Sequence, residues 1–255
     1  MSNSDAPERV ALLTGAGGGL AGAAARILAE RGGYRLALVD NRADALEGTL
    51  SDVRALGAEA HGIVVDLGDA DQVESVVPQA VAHFGRVDAL VNAAAVLFRT
   101  PLEEITAERF DFVYHINARA PLLLMRAAMA DMATRGWGRV VNVTSTGVYE
   151  GGFTTTSLLY ETTKGAVAVM TKMFANFGAA DGILVNTVCP GAMRTRMLTE
   201  QTDPALIEVA EREMIPLGRL GEPQEVAEII VWLLSDASSY ATGAEFDITG
   251  GIALH

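Results

Sequence analysis

Short apolar runs alternate with longer segments of helical periodicity along nearly the whole chain. The apolar runs predict strands at 9–14, 35–39, 61–65, 87–91, 139–144, 183–188 and 245–248. The periodic segments predict helices at 20–31, 44–56, 69–84, 106–134, 160–178 and 223–235. Asp69 or Asp71 would cap the third helix, and Pro121 predicts a kink or a local break in the fourth. Strands alternating with helices at this spacing predict an α/β fold, a doubly wound parallel sheet with right-handed crossovers and helices on both faces.

Composition narrows the class of protein. A chain of 255 residues, half of them hydrophobic, suits one domain over 1–255 with a well-filled core. No apolar run reaches the roughly 18 residues of a membrane span, and residues 1–5 carry no export signal. The net charge of −13 argues against nucleic acid and anionic membrane surfaces as partners. Because Cys189 is the lone cysteine, no internal disulfide can form, so we expect a soluble, cytoplasmic protein.

A glycine-rich segment lies between the first predicted strand and the first predicted helix. Glycines there let the backbone turn tightly and approach a pyrophosphate, which the N–H groups at the helix N-terminus hold. Gly15 and Gly19 are the preferred anchors because Gly15 directly follows the strand, although Gly17, Gly19 and Gly22 match Gly-x-Gly-x-x-Gly literally. A flexible turn is the alternative interpretation. The flanking strand and helix favour dinucleotide binding.

Tyr160 and Lys164 are four positions apart at the start of a predicted helix. Residues at this spacing share one helix face, with about 5–6 Å between their Cβ atoms. A neighbouring cation favours the phenolate and lowers the pKa of a tyrosine toward neutrality. Such a tyrosine can exchange a proton with an alcohol or a carbonyl group. For this pair alone, chance spacing is the alternative.

Taken together, Thr14-Gly15-x-x-x-Gly19 and Tyr160-x-x-x-Lys164 make the chain resemble the short-chain dehydrogenase/reductase family. The resemblance extends from about 9 to 254 and implies a single Rossmann-type domain. Further motifs stand in the family's order along the chain. They are Asn92-Ala93-Ala94-Ala95, Asn117, Asn142-Val143-Thr144-Ser145, Pro190-Gly191 and Asp247-Ile248-Thr249-Gly250-Gly251.

The resemblance implies hydride transfer between a nicotinamide and a secondary alcohol or carbonyl substrate. Tyr160 would be the acid/base, Lys164 would lower its pKa and bind the nicotinamide ribose, and Ser145 would hold the substrate oxygen. Asn117 would hold a water that connects Lys164 to solvent. Two alternatives stay open, because Asn117 could bridge backbone groups at a helix distortion and Ser145 could cap a strand end. The threonines on either side of Ser145 also offer hydroxyls, so this choice rests on the family's register.

Asp40 predicts NAD rather than NADP as the cofactor. It ends the second predicted strand, 25 positions after Gly15, where a carboxylate accepts hydrogen bonds from both adenosine ribose hydroxyls. A 2′-phosphate would be repelled there, although Arg42 could offset part of the repulsion, and Asp40 could instead only cap the following helix. No metal site is predicted, because the four histidines have no metal-ligand spacing. The predicted cofactor-binding residues are Gly15, Gly18, Gly19, Leu20, Asp40, Asp66, Leu67, Asn92, Ala93, Tyr160, Lys164, Pro190, Gly191, Met193 and Thr195.

The substrate is left open by the sequence beyond a small alcohol or carbonyl compound. Segment 192–218 is the predicted substrate lid, in which Arg194 and Arg196 either clamp an anionic substrate group or face solvent. The 15 positions from Ser145 to Tyr160 are more than is usual for the family, so the substrate loop between them is reshaped.

Two helical segments, 121–132 and 166–177, carry apolar residues over more of their circumference than one sheet can cover. Together with the resemblance, this predicts a homo-oligomer, most simply a homotetramer. The predicted activity is that of an NAD-dependent alcohol dehydrogenase or ketoreductase. The alternatives are an NADP-dependent carbonyl reductase, a non-redox lyase of the same fold and a nucleotide sensor without catalytic activity.

Overall fold

A parallel sheet of seven strands forms the centre of the computed structural model, which describes residues 8–150 and 155–253. The strands are β1 (Arg9–Thr14), β2 (Tyr34–Asp40), β3 (Ala60–Val64), β4 (Ala89–Asn92), β5 (Gly138–Val143), β6 (Ile183–Pro190) and β7 (Glu245–Ile248). They lie in the order β3-β2-β1-β4-β5-β6-β7, and all six neighbouring pairs are parallel. The predicted doubly wound sheet is confirmed, and each predicted strand lies within two residues of an observed one.

Helices connect the strands. The longer ones are α1 (Gly19–Arg31), α2 (Ala43–Ala55), α3 (Ala70–Phe84), α4 (Ala107–Tyr114), α5 (Ala120–Ala133), α7 (Leu158–Gly178), α9 (Pro204–Glu213) and α10 (Pro223–Leu234). Two helices of four residues each, α6 (Gly147–Glu150) and α8 (Arg196–Thr199), were not predicted, and neither was α9. Of the two candidate caps for α3, the structure selects Asp69, whose side chain accepts the N–H groups of Asp71 and Gln72.

The side chains of each strand point alternately to the two faces of the sheet, so the hydrophobic core has two layers. In β1, Ala11 and Leu13 face one cluster of buried residues, which is completed by α1, α2 and α10. Val10 and Leu12 face the opposite cluster, which is completed by α3, α5 and α7. All four side chains are fully buried. The apolar run that predicted β1 is therefore continuous because both faces of a parallel strand are covered by helices.

The predicted break near Pro121 takes the form of a π-helical turn, His115–Arg119, that joins α4 directly to α5. In this turn the N–H of Ala120 donates to the carbonyl of His115. Proline has no N–H, so residue 121 cannot give the carbonyl of Asn117 its α-helical hydrogen bond. The helix stays continuous, and Asn117 lies in the middle of the π-helical turn.

Asp88, directly before β4, connects several segments at the amino-terminal ends of the strands. Its fully buried carboxylate accepts the N–H of Val10 at 2.9 Å. It also forms ion pairs with Arg86, whose Nη2 lies 2.6 Å away, and with Arg135, whose Nε lies 3.3 Å away. The charge of Asp88 is therefore compensated within the protein.

The carboxyl ends of β1 and β4 meet where the strand order reverses. From β1 the chain continues to β2 and β3 on one side, and β4 then begins the other side of the sheet. Connections leave such a pair of strands in opposite directions, which opens a crevice at their carboxyl ends. In open α/β sheets, ligands bind in this crevice.

Candidate active site

The glycine-rich segment forms the turn from β1 into α1. Gly15 has a φ of +73°, and a Cβ on it would lie 2.9 Å from the Cα of Ala94, so only glycine fits this approach of the two strand ends. Gly18 precedes the first residue of α1, and as a glycine it has no side chain to accept the N–H groups there. Added Cβ atoms at Gly18 and Gly19 would meet no atom within 4 Å, so this helix N-terminus is open to an anion.

Asp40 connects the end of β2 to the glycine turn. Its Oδ2 accepts the N–H of Gly17 at 2.9 Å, and its Oδ1 accepts the N–H of Arg42 at 3.0 Å. The Arg42 guanidinium lies 3.5 Å from Oδ1. A Cβ on Gly17 would lie 2.9 Å from the Asp40 carboxyl carbon, so Gly17 is required by Asp40. Gly17 was not among the predicted cofactor-binding residues. It is, however, the first glycine of the Gly-x-Gly-x-x-Gly match that was not preferred in the sequence analysis.

The predicted site residues converge on one cleft of about 950 Å3 at the carboxyl ends of the strands. Those that line it are Gly15, Gly18, Gly19, Leu20, Asp40, Asp66, Leu67, Ala93, Ser145, Tyr160, Lys164, Pro190, Gly191, Met193 and Thr195. Asn92 and Asn117 do not line it. The site is thus assembled from seven separate parts of the chain.

The amide of Asn92 is turned toward the interior of the sheet. Its Nδ2 donates to the Oδ1 of Asn142 at 2.8 Å, and Asn142 donates to the hydroxyl of Thr171 on α7 at 2.8 Å. These side chains are almost completely buried. They tie β4, β5 and α7 together, and a direct cofactor contact of Asn92 stays a prediction.

Asn117 bridges backbone groups across the π-helical turn. Its Oδ1 accepts the N–H of Val96 at 2.8 Å, and its Nδ2 donates to the carbonyl of Val96 at 2.9 Å. Nδ2 also approaches the hydroxyl of Thr163 at 3.2 Å. The side chain therefore has the bridging arrangement that was one of the two alternatives. The proton-relay role stays a prediction.

Lys164 is buried in the first turns of α7, with 3% of its surface exposed. Its Nζ donates to the carbonyl of Val143 at the end of β5 at 2.8 Å, and lies 5.4 Å from the ring centre of Tyr160. Burial lowers the pKa of Lys164 to about 8, and the charge of Glu161 opposes this change. The predicted pairing of phenol and amine on one helix face is present.

The pKa of Tyr160 differs from the expectation. Burial of the phenol raises it above its ordinary value, and electrostatic interactions with Glu161 and Cys189 act in the same direction. The expected lowering of this pKa by Lys164 is not found, and the Nζ of Lys164 instead donates to the carbonyl of Val143. The chain's own groups therefore keep Tyr160 in its neutral, proton-donating form at neutral pH.

Ser145 lies two residues beyond β5 and lines the cleft, and its Oγ accepts the N–H of Gly147 at 3.3 Å. The hydroxyl of Thr144 is committed elsewhere, because its Oγ1 lies within hydrogen-bonding distance of two acceptors, the Glu245 carboxylate at 2.9 Å and the Val188 carbonyl at 3.2 Å. This favours Ser145 over Thr144 as the hydroxyl available to a substrate.

Comparisons with known proteins agree with this geometry. A family model described as Enoyl-(Acyl carrier protein) reductase matches residues 15–253. The cis-4-hydroxycyclohexanecarboxylate dehydrogenase of Sinomonas cyclohexanicum is 35% identical over 96% of each chain. The 3-oxoacyl-(acyl-carrier-protein) reductase of Thermotoga maritima is 33% identical over 96% of this chain and 98% of its own.

A solved short-chain type dehydrogenase/reductase from Mycobacterium marinum superposes with a TM-score of 0.90 at 29% identity, covering 97% of this chain and 96% of its own. The chain belongs to the short-chain dehydrogenase/reductase family. It is therefore an oxidoreductase of the dehydrogenase/reductase type that uses a nicotinamide cofactor. The open N-terminus of α1 and the carboxylate of Asp40 fit the pyrophosphate and a ribose of such a cofactor.

The charged residues of this short-chain dehydrogenase/reductase that line the cleft without having been predicted include Glu161 and Arg99. Glu161 follows Tyr160 on α7, and burial raises its pKa. Arg99 lies in the segment after β4, and its Nη2 donates to the hydroxyl of Thr202 at 3.1 Å. Glu161 is one of the three residues between Tyr160 and Lys164 whose type the motif leaves open. Its position directly after Tyr160 was the only feature of the sequence that could have placed it in the site. Nothing in the local sequence marked Arg99.

The predicted lid segment contains α8 and α9, and its arginines are paired with neighbouring carboxylates. Arg194 lies 3.3 Å from Glu211 and 3.0 Å from Glu222. Arg196 lies 2.8 Å from Glu200, and both arginines are more than half exposed. Arg194 does not line the cleft, which favours the solvent-facing alternative for it, whereas Arg196 does line the cleft and both alternatives stay open for it. In the substrate loop, residues 151–154 lie outside the part of the chain that the structure describes, as do residues 1–7 and 254–255.

One group of side chains with metal-ligating atoms comes together within the described ranges. Atoms of Cys189, Glu245 and Asp247 lie within 4.8 Å of one another. Burial and both carboxylates raise the pKa of the Cys189 thiol, which disfavours the thiolate that metals bind. Glu245 accepts hydrogen bonds from Thr144 and Tyr149. This geometry suits a packed thiol. Among the described residues, no helix is both long and apolar enough to cross a membrane.

Proposed function

We propose that the protein is an NAD-dependent alcohol dehydrogenase or ketoreductase in which Tyr160 is the acid/base. The observation that carries the proposal is the position of Tyr160, Lys164 and Ser145 in the same cleft as the open glycine turn. A non-redox lyase would not need that turn, and a nucleotide sensor would not need a proton donor beside a buried lysine. Both are therefore weaker candidates.

The chain's own groups would handle the proton and the substrate oxygen. Bound nicotinamide supplies the carbon that gives or accepts the hydride. In ketone reduction, Tyr160 donates its proton to the carbonyl oxygen, and Ser145 hydrogen-bonds the same oxygen as negative charge develops there. Lys164, a cation below about pH 8, stabilises the phenolate that remains. In alcohol oxidation these roles reverse.

Asp40 supports NAD over NADP. Its carboxylate is 9% exposed and is fixed by the N–H groups of Gly17 and Arg42, so it cannot easily turn away from an added phosphate. Two like charges about 4 Å apart repel by about 4 kcal/mol at an effective dielectric constant of about 20. Arg42 already pairs with Asp40, which reduces its ability to neutralise a phosphate. We expect NAD to be preferred by at least about 10²-fold.

The test of this proposal measures kcat/KM with NAD and with NADP for the wild type, Asp40→Ala and Asp44→Ala. Asp44 is an exposed carboxylate at the start of α2, so its variant removes the same charge without touching the glycine turn. Asp40→Ala should lose most of the preference, and Asp44→Ala should keep it. Equal or better use of NADP by the wild type would favour the runner-up, an NADP-dependent carbonyl reductase.

The relatives suggest which substrates to try first. One is named for a ring compound with a secondary hydroxyl, cis-4-hydroxycyclohexanecarboxylate, and another for a 3-oxoacyl group on acyl carrier protein. The cleft extends from the catalytic residues past Arg99 to α9, which gives room for a ring or a chain. We propose that segment 192–218 acts as a substrate lid. A panel of ring alcohols, their ketones and a 3-oxoacyl thioester, followed by nicotinamide absorbance, covers both possibilities.

We further propose that the whole chain is one domain and that it assembles into a homotetramer. In support, α7 exposes three large apolar side chains at helical spacing, Val169, Met173 and Phe177, each at least half exposed. Exposed Phe110 and Phe112 on α4 add to this surface. The lone buried thiol of Cys189 suits a reducing compartment such as the cytoplasm.

A further inference from the structure

Ser145 lies beyond the paired part of its strand, so contacts other than the strand ladder must fix its hydroxyl. The register between β5 and β6 ends at Val143 and Val188. The N–H of Thr144 still donates to the carbonyl of Val188 at 2.9 Å, and Ser145 follows where the chain leaves the sheet. Because a reacting group misplaced by about 1 Å can cost about 10²-fold in rate, the position of this segment matters for the proposed reaction.

A carboxylate from another strand holds the chain on both sides of Ser145. Glu245 is the first residue of β7, and its Oε1 lies 2.9 Å from the hydroxyl of Thr144, directly before Ser145. Its Oε2 accepts the phenolic hydroxyl of Tyr149, four residues after Ser145. A carboxylate has two acceptor oxygens and no donor, so this one side chain satisfies both hydroxyls.

The turn between the two tethered residues is hydrogen-bonded around Ser145. The N–H of Gly147 donates to the Oγ of Ser145 at 3.3 Å, and the N–H of Val148 donates to the carbonyl of Ser145 at 3.2 Å. The N–H of Tyr149 donates to the carbonyl of Thr146 at 3.0 Å. A displacement of Tyr149 is therefore passed to Ser145 through a single turn of the chain.

We propose that Glu245 is a positioning residue for Ser145. By holding the residues on either side, it fixes the hydroxyl of Ser145 against the substrate oxygen. Glu245 itself is not among the residues that line the cleft, so it acts through its two hydroxyl partners. Hydrogen bonds to an ionised group are about twice as strong as those between neutral groups, which suits this task. The inference rests on the proposed function, because that function assigns Ser145 to the substrate oxygen.

The kinetic test uses the substrate of the panel that the wild type turns over best. Glu245→Leu removes both acceptor oxygens and should lower kcat by about tenfold to a hundredfold. Tyr149→Phe removes one link, and because Tyr149 is 42% exposed and water can partly replace that link, the expected loss is about threefold. Glu245→Gln keeps an acceptor oxygen and should recover most of the kcat. The Kd of the nicotinamide cofactor, measured by calorimetry, should be unchanged in all three variants.

Two surface variants are the matched controls. Tyr240→Phe removes the same hydroxyl from a fully exposed ring, and Glu74→Leu removes an exposed carboxylate that pairs with Arg126. Both should keep the wild-type kcat. A wild-type kcat in Glu245→Leu as well would overturn the inference.

The comparison that separates positioning from a general effect on the fold is made in a Ser145→Ala background. There, Glu245→Leu and Tyr149→Phe should cause no further fall in kcat, because the hydroxyl that they position is already gone. Tyr149→Phe, the milder change, gives the same comparison if Glu245→Leu does not fold. An equal fall with and without the Ser145 hydroxyl would show that Glu245 acts on another group, and the inference would be wrong.

A second measurement needs no substrate. Hydrogen exchange followed by mass spectrometry reports how often the turn opens, in peptides that span residues 144–150. Glu245→Leu should speed exchange there by about threefold to tenfold, the value of one hydrogen bond, and leave peptides of the glycine turn unchanged. Unchanged exchange at 144–150 would contradict the role of Glu245. Absence of nicotinamide-linked turnover by the wild type with the whole substrate panel would instead contradict the proposed function.

Discussion

Replacing Lys164 by methionine should abolish turnover and yet remove a cost to folding. Lys164 is 3% exposed, and burial lowers its pKa from 10.5 to about 8. A pKa difference of one unit corresponds to about 1.4 kcal/mol, so holding this lysine charged inside the protein costs about 3 kcal/mol. Methionine has a similar length and no charge, so the variant does not carry this cost.

The pH dependence identifies the cause. Between about pH 8 and 10.5 the unfolded chain keeps the lysine protonated while the folded protein does not, so wild-type stability rises with pH there. The cost is fully present below this range and is gone above it. The variant also loses the hydrogen bond to the Val143 carbonyl, which costs about 1–3 kcal/mol at every pH. This offset does not alter the pH dependence.

The assay is denaturant unfolding at fixed protein concentration, because assembly would make stability depend on concentration. The free energy of unfolding of Lys164→Met minus that of the wild type should fall by about 3 kcal/mol from neutral pH to about pH 10.5. Lys172→Met is the matched control, since Lys172 is exposed on the same helix and its replacement should give a constant difference. A constant difference for Lys164→Met as well would refute the burial argument.

Three further outcomes are expected. Tyr160→Phe should keep cofactor binding and lower kcat by at least about 10²-fold, since it removes the proton donor; a variant retaining more than a tenth of wild-type kcat would show that another group does this work. Asp88→Asn should lower the free energy of unfolding by about 3 kcal/mol in denaturant titrations, because Arg86 loses its carboxylate partner and Arg135 keeps only Asp131. A loss below about 1 kcal/mol would mean that solvent screens them. Sedimentation equilibrium should give the mass of four chains, and the mass of a single chain at micromolar concentration would rule out the tetramer.

Local patterns were enough to predict the sheet and the catalytic pair. The continuous apolar run of β1 reflects burial on both faces, and that burial follows directly from the alternation of strands and helices. Gly15 was identifiable because the tight turn after a strand requires a residue free to adopt positive φ. Tyr160 and Lys164 lie on one turn of one helix, so their sequence spacing determines their proximity.

Contacts between distant segments were decided only by the tertiary structure. The need for Gly17 arises from Asp40, which comes from a different strand, and the amide of Asn117 is used on Val96, 21 positions away. Pro121 marked an irregularity, but only the structure shows its form, a π-helical turn that joins α4 directly to α5.

The electrostatics of the site could not be predicted from the sequence for the same reason. Helical spacing placed a cation beside Tyr160, but the pKa of Tyr160 depends first on its burial and then on electrostatic interactions with Glu161 and Cys189. Burial is the sum of every segment packed round a group, and Coulomb interactions act through space between residues far apart in the chain. Sequence patterns report neighbours along one element. The state of a proton in the cleft depends on all the elements that enclose it.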